Sequence, residues 1–218
     1  MNTYANRGMT LESIVKYVLD RYRMYGEAVI TKQNTKFIPI RNRKGQVTNC
    51  KVDEKATVDF IGRCGSIPVA FEAKETSTNR ISFNEVQDHQ ARFLDDWIMD
   101  PEAAAFVLVS FKNLDKFYAV PWMFWKAARD AWNDKDMAES IGAIEAAEGS
   151  KKKQATSRKC KRERICWGGI TWNTPGKASV SPEELLPIWE VQRDARHGLA
   201  ILENIVLYTG QKSNRNIT

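Results

Sequence analysis

The chain has 218 residues, 43% of them hydrophobic, and a formal charge of +6; that length supports one core with appendages rather than two full domains. No stretch approaches the ~20 consecutive apolar residues of a membrane-spanning helix, and the polar Met1 to Thr10 lacks the pattern of a secretory leader, so a soluble, intracellular (cytoplasmic) protein of cellular or viral origin is expected, with no membrane partner. Four cysteines (Cys50, Cys64, Cys160, Cys166), without a C-x-x-C pair and with only His89 and His197 beside them, are expected as reduced thiols and disfavour a disulfide scaffold or a zinc site.

Leu11, Ile14, Val15, Val18, Leu19 and Tyr22 recur at spacings of three and four, the stripe of an amphipathic helix with Thr10 as N-cap. Ala28 to Lys32 and Lys36 to Ile40 read as strands, and the polar Arg41 to Glu54 as an exposed excursion. Two stronger strands, Ala56 to Ile61 and Ile67 to Lys74, flank a turn over Gly62 to Ser66, which predicts a β-hairpin. Ser82 with Glu85 forms a capping-box pattern ahead of a helical face of Val86, Gln90, Phe93, Leu94 and Trp97. Ala103 to Phe111 is a nearly unbroken apolar run, as expected of a central strand covered on both faces. A further strand, Phe117 to Val120, ends at Pro121, and Trp122 to Trp132 returns to helical spacing.

From Asn133 the chain turns charged and alanine-rich, then lysine-rich, and Lys151 to Arg164 holds eight basic residues against one acid. Within this insertion, at about 133–165, the run Lys151 to Arg164 alone has a local excess of +7, so the rest of the chain is close to neutral. The run is either a solvated loop or an arm that grips phosphates through counterion release, in which case Lys151, Lys152, Lys153, Arg158, Lys159, Lys161, Arg162 and Arg164 are DNA-binding candidates. Cys166 to Trp172 could rejoin the sheet as an edge strand. Ser181-Pro182-Glu183-Glu184 reads as a helix start and Arg193 to Leu207 as a closing helix, giving a C-terminal helical segment over 181–210. The order of elements predicts an α/β (α+β) fold with a mixed sheet flanked by helices, in a single domain.

The hairpin carries the informative chemistry. Alternation puts Thr57 and Asp59 on one face of the first strand, and Glu72 and Lys74 on one face of the second. A turn centred between Gly65 and Ser66 would set Asp59 opposite Glu72 and Thr57 opposite Lys74. Two facing carboxylates repel unless a cation sits between them, and oxygen donors favour Mg²⁺ or Mn²⁺. A neighbouring lysine could then neutralise charge developing on a phosphate. On spacing alone, the more ordinary reading of the same residues is the salt-bridged, solvent-facing side of a hairpin.

Asn6-Arg7-Gly8-Met9-Thr10-Leu11-Glu12, Thr57-Val58-Asp59-Phe60-Ile61-Gly62, Phe71-Glu72-Ala73-Lys74-Glu75-Thr76 and His89-Gln90 follow one another in the order of the signatures of a known family. On these motifs the sequence resembles the RecU-type Holliday junction resolvases of the PD-(D/E)XK nuclease superfamily, over roughly residues 6–125. The resemblance implies a restriction-endonuclease-like core and Mg²⁺-dependent paired nicking of four-way DNA junctions by a homodimer, in recombination and repair. It implies metal ligands at Thr57, Asp59, Glu72 and Gln90, a transition-state role for Lys74, and a further acidic position at Glu12. Arg7 is a candidate phosphate contact. Two departures stand out: the excursion where these resolvases carry a junction-entering stalk is short here, and the segment from Asn133 to Arg164 is longer and more basic. The alternatives are a PD-(D/E)XK restriction or repair nuclease acting on linear duplex, and a non-catalytic DNA-bridging recombination protein.

Overall fold

The computed structural model describes residues 10–54, 56–134, 164–167, 170–173, 178–194, 196 and 198–202. Helix α1 (Leu11–Met24) starts where expected, at Thr10, whose hydroxyl oxygen accepts from Ser13 N–H at 3.3 Å. Its apolar stripe, Leu11 to Tyr22, is buried throughout. Then come β1 (Ala28–Lys32), β2 (Lys36–Arg41), β3 (Val47–Glu54), β4 (Phe60–Cys64), β5 (Ile67–Thr76) and the short β6 (Ile81–Ser82). Helix α2 (Asp88–Trp97), β7 (Ala104–Phe111) and β8 (Lys116–Pro121) follow, and α3 runs over residues 122–134 as far as the chain is described.

The central sheet has five strands in the order β1-β4-β5-β7-β8. Neighbours are antiparallel except β5 and β7, which run parallel. A parallel pair cannot be joined by a tight turn, and the crossover that joins them carries α2. α1 covers one face, packing on Phe60, Phe71 and Phe106, whose rings stack at 4.8 and 4.6 Å across three adjacent strands. α2 and α3 cover the other face, over Ala70, Val107, Val109 and Val120. Every residue of β7 is buried, as the unbroken apolar run predicted. The α/β architecture with a mixed sheet between helices is therefore present.

Several local expectations are corrected. Arg41 to Glu54 is not a plain excursion: β3 pairs antiparallel with β2 in a two-stranded ribbon of its own. All of β2 is exposed, and a ribbon without a core face leaves no hydrophobic alternation to read. The hairpin's first strand is β4, so residues 56–59 are irregular and Gly62 lies within the strand. Glycine is required there by close approach, since a Cβ would lie 2.1 Å from Val29 O on β1. Ser82 caps only a single 3₁₀ turn, Phe83–Glu85, and α2 begins later, after Gln87. The described residues within 164–173 do not rejoin the central sheet: β9 (Arg164–Trp167) and β10 (Ile170–Asn173) pair with each other.

The expected C-terminal helical segment over 181–210 is also different. Its described part holds two 3₁₀ turns, Pro182–Glu184 and Pro187–Trp189, and residues 203–210 lie outside the described residues. The predicted start is partly right, because Ser181 N–H and its hydroxyl both donate to Glu184 Oε2 at 3.0 Å. Instead of a closing helix from Arg193, β12 (Arg193–Asp194) pairs with β13 (Gly198–Leu199). The described residues between 178 and 202 work as a strap. β11 (Ser179–Val180) pairs with β6, and Val191 N–H donates to Phe117 O of β8 at 2.8 Å. Leu185 and Trp189 enter the α2-side core, while Leu199, Ile201 and Leu202 enter the α1-side core. These contacts with two separate cores require an extended path that one helix could not follow.

Candidate active site

The β4–β5 ladder ends at the pair Phe60–Phe71, so Glu72 to Thr76 of β5 run on with β7 as their ladder partner. Asp59, just before β4, takes up the freed edge. Its N–H donates to Glu72 Oε2 at 3.0 Å, and its own Oδ2 accepts from Ala73 N–H at 3.0 Å. The two carboxylates are thus clasped reciprocally, in the register that a turn at Gly65–Ser66 implied. Asp59 O also accepts from Gln33 N–H at 2.7 Å, which ties the bend to the end of β1.

Alternation along β5 sends Glu72 and Lys74 toward α2, and Phe71 and Ala73 toward α1. Glu72 is 1% exposed. Its Oε1 accepts from Gln90 Nε2 at 2.6 Å and pairs with Lys74 Nζ at 2.8 Å. Gln90, in the first turn of α2, accepts Gln87 N–H on its own Oε1 at 2.9 Å. Burial, and then the nearby Asp59 charge, push the Glu72 carboxyl up to about 7 against the opposing pull of Lys74.

Asp59, Glu72, Lys74 and Gln90 therefore converge. Thr57 lies two residues before Asp59, exposed on the bend. Glu12, on the first turn of α1, pairs with Lys32 at the end of β1, and no hydrogen bond among the described residues joins it to Glu72 or Lys74. His89 is half-buried beside Gln90. Arg7 and the basic candidates Lys151, Lys152, Lys153, Arg158, Lys159, Lys161 and Arg162 lie outside the described residues, as does the side chain of Arg164. Sequence reasoning missed Gln87 and Glu75. Glu75 has the opposite parity to Lys74 on β5, which aims it at the start of α1; that signal was available.

Among the described residues no three His, Cys, Asp or Glu side chains form a metal-binding group. The donors that converge are two carboxylates and the Gln90 amide, all hard groups, and a divalent cation between the carboxylates would offset both the burial and the Asp59 charge that raise the Glu72 pKa. The donor chemistry fits Mg²⁺. Gln90 presents its NH₂ to Glu72, so to act as a ligand it would turn its amide over and release Gln87 N–H.

The family model described as Recombination protein U matches residues 6–156. A Holliday junction resolvase RecU of Staphylococcus carnosus is 31% identical over 134 residues, covering 56% of this chain and 64% of that protein. One of Streptococcus pneumoniae is 31% identical over 124 residues, covering 54% and 62%. The chain thus spans a little under two thirds of the length of these curated relatives. A solved Holliday junction resolvase, Hjc of Archaeoglobus fulgidus, is similar at 15% identity and a TM-score of 0.31, over 51% of this chain and 76% of that one, a likeness too slight to carry weight. No helix among the described residues is long and apolar enough to cross a membrane.

Proposed function

Because this chain belongs to the Recombination protein U family, we propose that it is a metal-dependent DNA endonuclease that resolves four-way junctions by paired nicking during recombination and repair. The observation that carries this reading is the clasp of Asp59 and Glu72, with Lys74 and Gln90 on the same buried carboxylate. So costly a burial of charge suits a site where a cation and a phosphate replace water.

Asp59 and Glu72 would hold Mg²⁺, or Mn²⁺ as a substitute, with Gln90 and Thr57 completing the set. A cation bound there supplies Lewis-acid polarisation of a phosphate and lowers the pKa of a water. Lys74, held by Glu72 with its side chain 18% exposed, keeps its ammonium at the mouth of the site. There it donates to a phosphate oxygen and offsets the negative charge that grows during attack. Glu72 fixes the lysine's position, and Gln90 ties Glu72 to the start of α2. Glu12 is assigned a supporting acidic role from the α1 side. In-line attack by water leaves a 5′-phosphate and a 3′-hydroxyl.

By the resemblance, the β2–β3 ribbon corresponds to the segment in which these resolvases carry a stalk; Phe37, Ile38 and Ile40 are exposed there among Lys36, Arg41, Arg43, Lys44 and Lys51. Its cationic side chains suit the phosphates around a junction centre. Arg7 and the basic run 151–164 would add phosphate contacts. Two symmetric nicks in a two-fold substrate call for a two-fold homodimer.

The deciding experiment incubates the protein with a synthetic four-way junction and its matching linear duplex, with and without Mg²⁺. Paired nicking confined to the junction with Mg²⁺ is expected. Asp59→Asn and Lys74→Ala should abolish cutting while leaving junction binding largely intact. Comparable rates on both substrates would favour a linear-duplex restriction or repair nuclease, and binding without any cutting a DNA-bridging accessory protein.

A further inference from the structure

Glu72 and Lys74 sit on the part of β5 that has outrun its ladder with β4. A strand end held by a ladder on one edge frays readily, and a reacting lysine displaced by 1 Å can cost ~10²-fold in rate. Asp59 Oδ2 secures Ala73 N–H, but nothing in that clasp reaches past Lys74. The next residue does so from the opposite face. Glu75 Oε2 accepts Leu11 N–H, at the start of α1, at 3.2 Å, and Glu75 Oε1 pairs with Lys112 Nζ at 2.6 Å. Thr10 already caps Ser13 N–H, so Glu75 serves a different unpaired donor of the same helix end. The carboxylate also lies where the helix dipole favours negative charge, and its side chain is only 26% exposed.

We propose that Glu75 is a positioning residue: by joining the end of β5 to the first turn of α1 and to Lys112, it holds Lys74 in place from the far side of the sheet. The inference rests on the nuclease reading above for its consequence, though not for its geometry. Ala73 and Glu75 anchor alternate residues of one strand end to two different elements, and Lys74 lies between the anchors. Replacing Glu75 by alanine leaves the strand end after Lys74 to its ladder with β7 alone, without touching any group that faces the substrate. Glutamine keeps an oxygen for Leu11 N–H and loses the negative charge, and with it the ion pair to the half-exposed Lys112 and the attraction to the helix end, each worth little beside the hydrogen bond that remains.

The test measures junction cleavage by the full chain and by Glu75→Ala, Glu75→Gln and Lys112→Ala, below the unfolding temperature of the weakest variant. It also follows backbone amide exchange without Mg²⁺ or DNA. Glu75→Ala should lower kcat by about tenfold or more with KM for the junction within about twofold of the parent value. Glu75→Gln should recover most of the rate, and Lys112→Ala should lose little. Exchange in Glu75→Ala should quicken at Leu11 and at Ala73 to Thr76, and stay unchanged in α2. Parent-like cleavage by Glu75→Ala, a glutamine variant as slow as alanine, or faster exchange throughout the chain would each overturn the proposal. If the unaltered protein cuts no DNA, the nuclease reading fails, and the exchange pattern alone decides whether Glu75 anchors the strand.

Discussion

Glu72 brings a carboxylate to a place almost closed to water, where it accepts the backbone N–H of Asp59, a residue whose own carboxylate adds a second negative charge nearby. With its folded-state pKa raised to about 7 from 4.5, the group stays protonated in the folded chain over a range where the unfolded chain has already ionised. The folded state then binds more protons than the unfolded one, so this carboxyl's contribution is fully present below about pH 4.5 and is lost as pH rises through about 7. Unfolding in a chelating buffer should show the parent losing stability relative to Glu72→Gln between those limits; a difference that stays flat with pH would contradict this. Cation binding competes with the same proton, so the Mg²⁺ concentration that half-saturates the site should fall as pH rises toward 7.

At the scale of elements, β1 and β4 approach so closely at Gly62 that a methyl group there would also lie 2.5 Å from Ile30 Cα. Those neighbours are backbone atoms that cannot swing aside. Gly62→Ala should therefore cost roughly 1–3 kcal/mol or more, read as a lower urea midpoint with an unchanged slope. A variant as stable as the parent would mean that the two strands can separate at no cost. The same hairpin shows what was legible in the sequence. Two glycines and a serine between apolar runs implied the Phe60–Phe71 register, and alternation then paired Asp59 with Glu72. Alternation could not reveal the β2–β3 ribbon, where Phe37, Ile38 and Ile40 are all exposed. Capping rules pointed to Ser82 as the start of α2, since serine is a preferred N-cap and glutamine is not, yet Ser82 caps only a 3₁₀ turn and the helix starts after Gln87. Leu199, Ile201 and Leu202 resembled a helix stripe, yet they fill a core from an extended strap.

For the whole molecule, that strap and the positive charge both concern segments distant in sequence from the β4–β5 site. The strap closes both cores with residues that lie beyond the family match, which ends at residue 156. The packing of both cores therefore depends partly on residues outside that match. Positive charge is distributed just as unevenly. Lys151 to Arg164 carries eight bases and one acid within a chain whose total is +6, so the remainder is near neutral. A nearly neutral body would draw DNA weakly from a distance, and long-range attraction would then fall largely to this segment and to the basic ribbon. Each phosphate contact contributes about 0.9 to the slope of log affinity against log salt. If half of the eight bases touch phosphates, deleting 150–164 should reduce that slope by about 3 to 4 and weaken junction binding most at low salt. Cleavage of junctions supplied at saturation should survive, because none of Asp59, Glu72, Lys74 and Gln90 is removed. An unchanged affinity and salt slope would assign the grip on DNA to the ribbon alone.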